Sequence, residues 1–287
     1  MSTVTDENVD AVRGFLEANA ETAMFLLSNL DSYGFTLGPS MSSGNIHCIQ
    51  SNGEICGVFS LTRRGTLLSE TAGRTEFASV ILEACAGEPI AIQGTIGEWH
   101  SACALWQLLL DSNQLVEQFR SQELLCRMDL PASQRPAGVF PSVRQLLPSD
   151  FSQWLPHITA FLTEEGLPIQ GTLEQRKANF EENVGKGRWW GSFDNGRLVS
   201  TASLNAVYRG LGQVGGVYTA PSHRRRGLAR TMMRALLHDC VRLHDLRRLI
   251  LFTGQKNQFA RALYDSLGFL HVGQFALLFG TSPASRS

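Results

Sequence analysis

The sequence predicts an α+β protein of two domains, and three observations support this. The chain has 287 residues, and domains usually contain roughly 100–200 residues. Three prolines between residues 131 and 142 can continue neither a helix nor a central strand, so this segment is predicted to be a linker. On each side of it, predicted strands and helices follow one another in a similar order.

The domain boundaries follow from the proline-rich segment and the last predicted strand. We expect an N-terminal domain at 1–130, a linker at 131–142, a C-terminal domain at 143–280 and a flexible tail at 281–287.

The composition argues against several classes of protein. Hydrophobic residues make up 43% and charged residues 18%, which is typical of a globular core and unlike a disordered chain. The net charge of −1 gives the whole chain no electrostatic preference for nucleic acid or membrane, and neither is expected as a partner. No apolar run is long enough to cross a bilayer, and the polar N-terminus lacks the features of a signal peptide, so a cytoplasmic protein is expected.

The six cysteines are scattered along the chain without a CxxC pair or a Cys/His cluster. This spacing predicts no metal site and favours buried thiols in a reducing compartment.

The C-terminal half is predicted to alternate strands and helices. An Asn-Gly pair at 195–196 supplies the positive φ angles of a tight hairpin turn. The predicted strands are 143–147, 188–193, 197–207, 213–219, 248–253 and 274–279, and the predicted helices begin at Ser149 or Asp150, at Thr172, at Gly227 and at Asn257.

The N-terminal half repeats part of this order. It has its own Asn-Gly hairpin at 46–60 and a helix at 77–85, then a strand at 90–93, a helix around 104–106 and a final strand at 124–130. An order preserved across five elements indicates internal duplication.

The segment from Val217 to Ala229 combines the end of a strand, an arginine-rich turn and the start of a long helix. Eight arginines fall between positions 224 and 248. A helix start presents unpaired N–H groups and the positive end of the helix dipole, which together bind phosphate. Small residues such as Gly227 allow close approach of a ligand, and arginines add charge-assisted hydrogen bonds. The alternative is a solvated arginine-rich helix start.

The pattern Arg-x-x-Gly-x-Ala after a strand resembles the acyl-CoA-binding motif of the GNAT superfamily of N-acetyltransferases. The resemblance implies that each domain is a mixed, mostly antiparallel twisted sheet flanked by helices. It also implies that the loop holds the pyrophosphate of acetyl-CoA and that the strand backbone pairs with the pantetheine arm. The implied donor-binding residues are Val217, Tyr218, Thr219, Arg224, Arg225, Arg226, Gly227, Leu228, Ala229 and Asn257.

A second motif, Asn-x-x-Ala-x-x-x-Tyr-x-x-x-Gly-Phe at 257–269, also resembles this family. At 3.6 residues per turn, Asn257 and Tyr264 fall on one helix face, where a single ligand could contact both. By resemblance Tyr264 is the general acid that protonates the leaving thiolate. A tyrosine on a helix can equally be structural.

Acyl transfer to an amine also needs an unprotonated acceptor. The resemblance implies direct attack in a ternary complex, and the sequence shows no activated nucleophile. Glu164 and Glu165 border the region that holds the acceptor in this family, and each is a candidate base or amine-positioning residue; the alternative is a solvated helix end. The expected acceptor is a small amine or an amino acid, possibly a peptide amine, and the oligomeric state is left open.

The N-terminal half lacks the arginine loop. From the turn glycine to the end of the next helix it has 32 positions, against 44 in the C-terminal half. Trp106 replaces the tyrosine of the second motif, and an indole cannot protonate a thiolate. This half therefore resembles a degenerate GNAT domain, which leaves the C-terminal domain as the active one. The alternatives are a longer-chain or glycine-type N-acyltransferase and a CoA-binding sensor without turnover.

Overall fold

A computed structural model describes residues 1–130 and 140–283. The chain forms two compact units. The first unit comprises Met1–Leu125, Thr253–Lys256 and the residues from Val272 onward; the second comprises Cys126–Phe252 and Asn257–His271. Most of the predicted linker, and the tail after residue 283, lie outside the described residues.

In the first unit, each strand belongs to one mixed sheet with helices packed against it. In chain order the elements are β1 (Ser2–Thr3), α1 (Val9–Ala18), α2 (Ala20–Tyr33), β2 (Gly44–Ser51), β3 (Glu54–Thr62), β4 (Thr66–Glu70), α3 (Ala78–Cys85), β5 (Gly94–Glu98), α4 (Trp99–Asp111) and β6 (Val116–Asp129), whose last residues fall in the second unit. Strands β1 to β4 pair antiparallel in sequence order, and β4 pairs parallel with β5.

The second unit repeats this order. Its elements are β7 (Val143–Gln145), α5 (Phe151–Glu164), α6 (Leu173–Gly185), β8 (Trp189–Asp194), β9 (Arg197–Tyr208), β10 (Leu211–Thr219), α7 (Leu228–His244), β11 (Arg248–Gly254), whose last two residues fall in the first unit, and α8 (Gln258–Leu267), followed along the chain by β12 (Leu270–Thr281). Strands β7 to β10 pair antiparallel, and β10 pairs parallel with β11. The two units thus share one order of strands and helices, as the predicted duplication requires.

Both predicted hairpin turns are present. Asn52 and Gly53 have φ angles of 52° and 83°, and Asn195 and Gly196 have 49° and 77°. Two successive positive φ angles define the primed turn that suits the twist of a hairpin.

The last strand differs from its predicted assignment. From Val272 onward β12 belongs to the first unit, where Phe275 to Phe279 pair antiparallel with β5. Gly94 permits this pairing, because a Cβ there would lie 2.5 Å from the Phe279 ring.

The predicted strand at 90–93 is wrong, because the strand is Gly94–Glu98. Ile90 and Ile92 instead pack against the core cluster beneath α3. Their alternation reflects this packing and not membership of the sheet. In the second unit the corresponding core lies under α5 and α6, where Trp154, Phe180 and Trp189 are buried together.

Candidate active site

The parallel strands β10 and β11 separate at one end, and this fork is the centre of the candidate site. Their pairing runs from Leu211 with Arg248 to Val214 with Leu251. Beyond Val214, β10 continues to Thr219 and β11 to Gly254. The C-terminal ends of two parallel strands are where ligands commonly bind in such sheets.

A bulge in β10 lies at the fork. Gly215 pairs with Ser203 and Tyr218 with Thr201, so β10 has one extra residue relative to β9. Gly216 has φ 57°, and a Cβ there would lie 2.8 Å from the Trp189 side chain. Glycine meets both conditions, which accounts for its presence at this point of the bulge.

The bulge determines which backbone groups face the fork. The Ala220 N–H donates to the Val199 carbonyl at 2.9 Å, and the Tyr218 carbonyl accepts from Ser200 Oγ at 2.8 Å. Because alternate residues of an antiparallel strand turn to opposite sides, Val217 and Thr219 turn their backbone groups away from β9. Their N–H groups can therefore donate to a ligand in the fork.

A helix start without a side-chain cap follows the fork. Gly227 is the N-cap of α7 with φ 77°, and no side chain caps the helix. The first intrahelical bond runs from Thr231 N–H to the Gly227 carbonyl at 3.0 Å. The N–H groups of the first turn thus remain available, at the positive end of a helix of 17 residues. A Cβ at Gly227 would meet no atom within 4 Å, so a ligand has room there.

The arginines of the loop divide into two groups. Arg224 Nη2 lies 2.6 Å from Glu164 Oε2, and Arg226 Nη1 lies 3.7 Å from Asp194 Oδ2. Among the described residues, Arg225 and Arg230 form no ion pair. These two therefore carry positive charge beside the helix start that no carboxylate offsets, and the bare N–H groups and open space at Gly227 fit a phosphate-bearing ligand.

The ion pair between Glu164 and Arg224 joins residues that the sequence analysis assigned to the acceptor and donor sides. Arg224 also donates from Nε to the Thr219 carbonyl at 2.9 Å, and its guanidinium lies 5.5 Å from the centre of the Tyr218 ring. Arg224 therefore connects the end of α5 with the end of β10 through an ion pair and a hydrogen bond.

Glu165 lies next to this ion pair without joining it. Burial, and after it repulsion from Glu164, raises the pKa of the Glu165 carboxyl. The residue as a whole is exposed, so solvent screens part of this effect.

Helix α8 and its N-cap carry Tyr264 and Asn257 of the second motif. Tyr264 is 7% exposed, and its ring lies edge-on to Phe269 at 5.9 Å between centroids. The Asn257 side chain caps the helix by accepting from the Ala260 N–H at 3.1 Å. Tyr264 is thus a buried residue. Asn257 stabilises the start of α8 as its N-cap.

His157 on α5 belongs to no motif that the sequence reveals. It is buried, and its ring is edge-on to that of Tyr218 with centroids 4.9 Å apart. Its only sequence signal is a polar side chain two helical turns before Glu164, on an otherwise apolar stretch of helix.

The corresponding fork in the first unit is acidic. The pairing of β4 with β5 ends at Ser69 and Gly97, and Glu70 and Glu98 follow directly. Glu70 is 1% exposed, and burial raises its pKa. Glu98 caps α4 by accepting from the His100 and Ser101 N–H groups at 3.0 and 2.9 Å. Carboxyl groups at these positions oppose the binding of a phosphate.

Two further findings concern the described residues only. They contain no group of three or more His, Cys, Asp or Glu side chains that could hold a metal ion. None of their helices is long and apolar enough to cross a membrane.

A fork between parallel strands beside a helix start without a side-chain cap is the main feature of this α+β unit. The model of the acetyltransferase (GNAT) family matches residues 143–269. Residues 143–269 thus form a domain of the GNAT superfamily.

One curated relative is similar to part of the chain. An uncharacterized N-acetyltransferase of Bacillus subtilis, YsnE, is 28% identical over 99 residues, which are 34% of this chain. The match spans 64% of that relative's own length.

Two solved structures resemble nearly the whole chain. A Drosophila protein is 14% identical with a TM-score of 0.70, and the match covers 98% of each chain. A tandem GNAT protein from the clavulanic acid biosynthesis pathway is 15% identical with a TM-score of 0.58, covering 100% of this chain and 98% of its own. At these identities the likeness concerns the fold, and it confirms the predicted tandem architecture.

Proposed function

We propose that the protein is an N-acetyltransferase that moves an acetyl group from acetyl-CoA to an amine, with the active site in the second unit. The observation that carries the proposal is the fork beside the bare start of α7. In this proposal the first turn of α7, with Arg225 and Arg230, binds the pyrophosphate. The N–H groups of Val217 and Thr219 bind the pantetheine arm and the thioester oxygen.

The reaction is direct attack of the amine in a ternary complex. Acetyl-CoA supplies an activated acyl group as its thioester. A covalent enzyme intermediate would need a reactive nucleophile, and Cys240 on α7 is unsuited to this, because it is fully buried and burial raises its pKa. Tyr264 is the proposed donor of a proton to the departing sulfur.

The acceptor is a small amine or an amino acid, or the amine of a peptide. Glu164 and Glu165 give the end of α5 a negative charge beside the fork, which favours the approach of an ammonium group. The acceptor panel that tests this comprises glycine, ethanolamine, benzylamine, spermidine and a tetrapeptide with a free N-terminus. Release of thiol from acetyl-CoA measures turnover. Turnover only with longer acyl donors would make the protein a longer-chain acyltransferase, and tight CoA binding without any turnover would make it a sensor.

Replacing Glu164 or Glu165 with Gln is expected to lower turnover of the best acceptor. The expected decrease is about tenfold, because a charge that positions the amine contributes about 1.4 kcal/mol, which corresponds to a factor of ten. The raised pKa of Glu165 implies that its carboxylate is lost first as pH falls, so Glu165→Gln should flatten the acidic limb of the pH–rate profile. Glu174→Gln, on the exposed start of α6, is the matched control. Full activity in both variants would end the proposal for these residues.

The first unit is expected to bind no CoA, because Glu70 and Glu98 occupy the ends of its forked strands. Calorimetric titration of the full chain with acetyl-CoA should therefore give one molecule per chain. A stoichiometry of two would contradict this assignment and would place a second donor site in the first unit.

A further inference from the structure

The ring of His157 has a nitrogen that the fold leaves unused. His157 is 8% exposed, and its Nε2 is buried and has no hydrogen-bond partner among the described residues. Buried polar atoms in native proteins nearly always have a partner, and an atom without one indicates a water or a ligand. A purely structural position here would be filled better by an apolar side chain.

The position of His157 connects this nitrogen with the fork. His157, Phe161 and Glu164 follow one another at helical spacing and share one face of α5. His157 and Phe161 both lie edge-on to the Tyr218 ring, at 4.9 and 6.1 Å between centroids. Tyr218 stands between Val217 and Thr219, whose N–H groups face the fork.

Two more polar atoms without a partner lie on the elements that pack here. They are Trp154 Nε1, one turn before His157 on α5, and Gln213 Oε1 on β10. The side chains of Asn205 and Trp189 lie against Gly215 and Gly216 of this strand.

The surroundings keep His157 in its neutral form. Burial lowers its pKa from the ordinary 6.5, and a hydrogen bond with the Tyr218 backbone raises it in part. A neutral imidazole keeps one ring nitrogen unprotonated, and Nε2, which has no hydrogen-bond partner, is the nitrogen available to accept a proton.

No charged group contributes to this shift. From β10 the titratable neighbour is Tyr218, which interacts with Glu164 and Arg224. Strand β9 has its ionisable residues only at its ends. On α6, Arg176 is bound to Thr159 Oγ1 at 2.8 Å.

We propose that His157 Nε2 is the base that takes the proton from the acceptor amine, a role that rests on the proposed acetyltransferase function. Glu164 is engaged by Arg224, and Glu165 is exposed, so these carboxylates attract and orient the ammonium group. His157 then completes the step at the fork.

The protons balance in this scheme. The ammonium group gives one proton to Nε2 and becomes a neutral amine. Its lone pair forms the new C–N bond as the C–S bond breaks. The second amine proton replaces the one that Tyr264 gives to the sulfur, and the imidazolium releases its proton to solvent. One amide, one free thiol and one proton result.

The test compares His157→Leu and His157→Gln with the wild-type protein and with His238→Gln, a half-buried histidine on α7. Turnover of the best amine of the panel, the affinity for acetyl-CoA and the melting temperature are measured for each. His157→Leu should be at least as stable as the wild type, bind acetyl-CoA normally and lose about 100-fold or more in kcat. His157→Gln should also lose kcat, with the affinity for the amine better preserved. The acidic limb of the wild-type profile should become shallower, because Glu165 then still titrates in it and His157 does not.

A structural role for His157 predicts a different result. Melting temperature and turnover would then fall together in both variants, or turnover would stay within threefold of the wild type; either outcome overturns the assignment. Normal turnover in His157→Leu rejects only the role of His157. A wild-type protein that acetylates no amine of the panel rejects the proposed function, and the role of His157 with it.

Discussion

Gly227→Glu is expected to abolish measurable binding of acetyl-CoA while the protein stays folded. Gly227 precedes the first turn of α7, where no side chain caps the helix and a Cβ would meet no atom within 4 Å. A carboxylate there would compete for the N–H groups that bind phosphate and would repel the ligand. Charge-assisted hydrogen bonds contribute about 1.5–3 kcal/mol each, so losing even two lowers the affinity by two orders of magnitude or more. Calorimetric titration measures the effect.

The matched control is Gly227→Ala. Both variants place a Cβ on a residue with φ 77°, so both incur the strain of the left-handed conformation, of the order of 1 kcal/mol. Only the glutamate adds charge. We expect the alanine variant to keep most of its affinity, with a slightly lower melting temperature. Equal loss in the two variants would show that backbone strain, and not phosphate binding, explains the result. Unchanged affinity in Gly227→Glu would reject the site.

The elements of the second unit were predictable because their signals are local. The Asn-Gly turn at 195–196, the glycine before α7 and the cap at Asn257 each act within a few residues. The predicted helices at 172–184 and 257–267 correspond to Leu173–Gly185 and Gln258–Leu267. Turns and helix ends depend on residues that are close together in the chain, so the sequence alone can predict them.

The register of the sheet was not predictable in the same way. The bulge at Gly216 depends on how β10 aligns with β9, and the fork depends on where pairing with β11 stops. The pairing of β12 with β5 joins residues about 180 positions apart in the chain, and no local pattern specifies it. Sequence alone therefore assigned the last strand to the half in which it occurs.

The side-chain contacts of the site could not be predicted from local sequence patterns either. Glu164 and Arg224 are 60 positions apart, and their sequence patterns predict separate roles on the acceptor and donor sides. His157 was missed because a single histidine on an apolar helix is usually a core residue. Only the packing of α5 on Tyr218 shows that one ring nitrogen is left without a partner.

Tyr264→Phe is expected to lower kcat by about 10²–10⁴-fold, the range of a positioned general acid, with little change in affinity for acetyl-CoA. The substitution removes one oxygen and keeps the ring, so the edge contact with Phe269 at 5.9 Å should persist. Because Tyr264 is buried, its hydroxyl can also contribute about 1 kcal/mol to the stability of the fold. Melting temperature and turnover must therefore be measured on the same preparations.

Tyr208→Phe supplies the comparison that separates the two roles of Tyr264. Tyr208 is also buried in the second unit, but it lies at the end of β9 remote from the bulge, so its hydroxyl can affect stability without affecting the reaction. A fall in kcat confined to Tyr264→Phe, with similar melting temperatures for both variants, marks an interaction made mainly in the transition state. Near-normal turnover in Tyr264→Phe would make this tyrosine a core residue, and the departing thiolate would then leave without a proton from the protein.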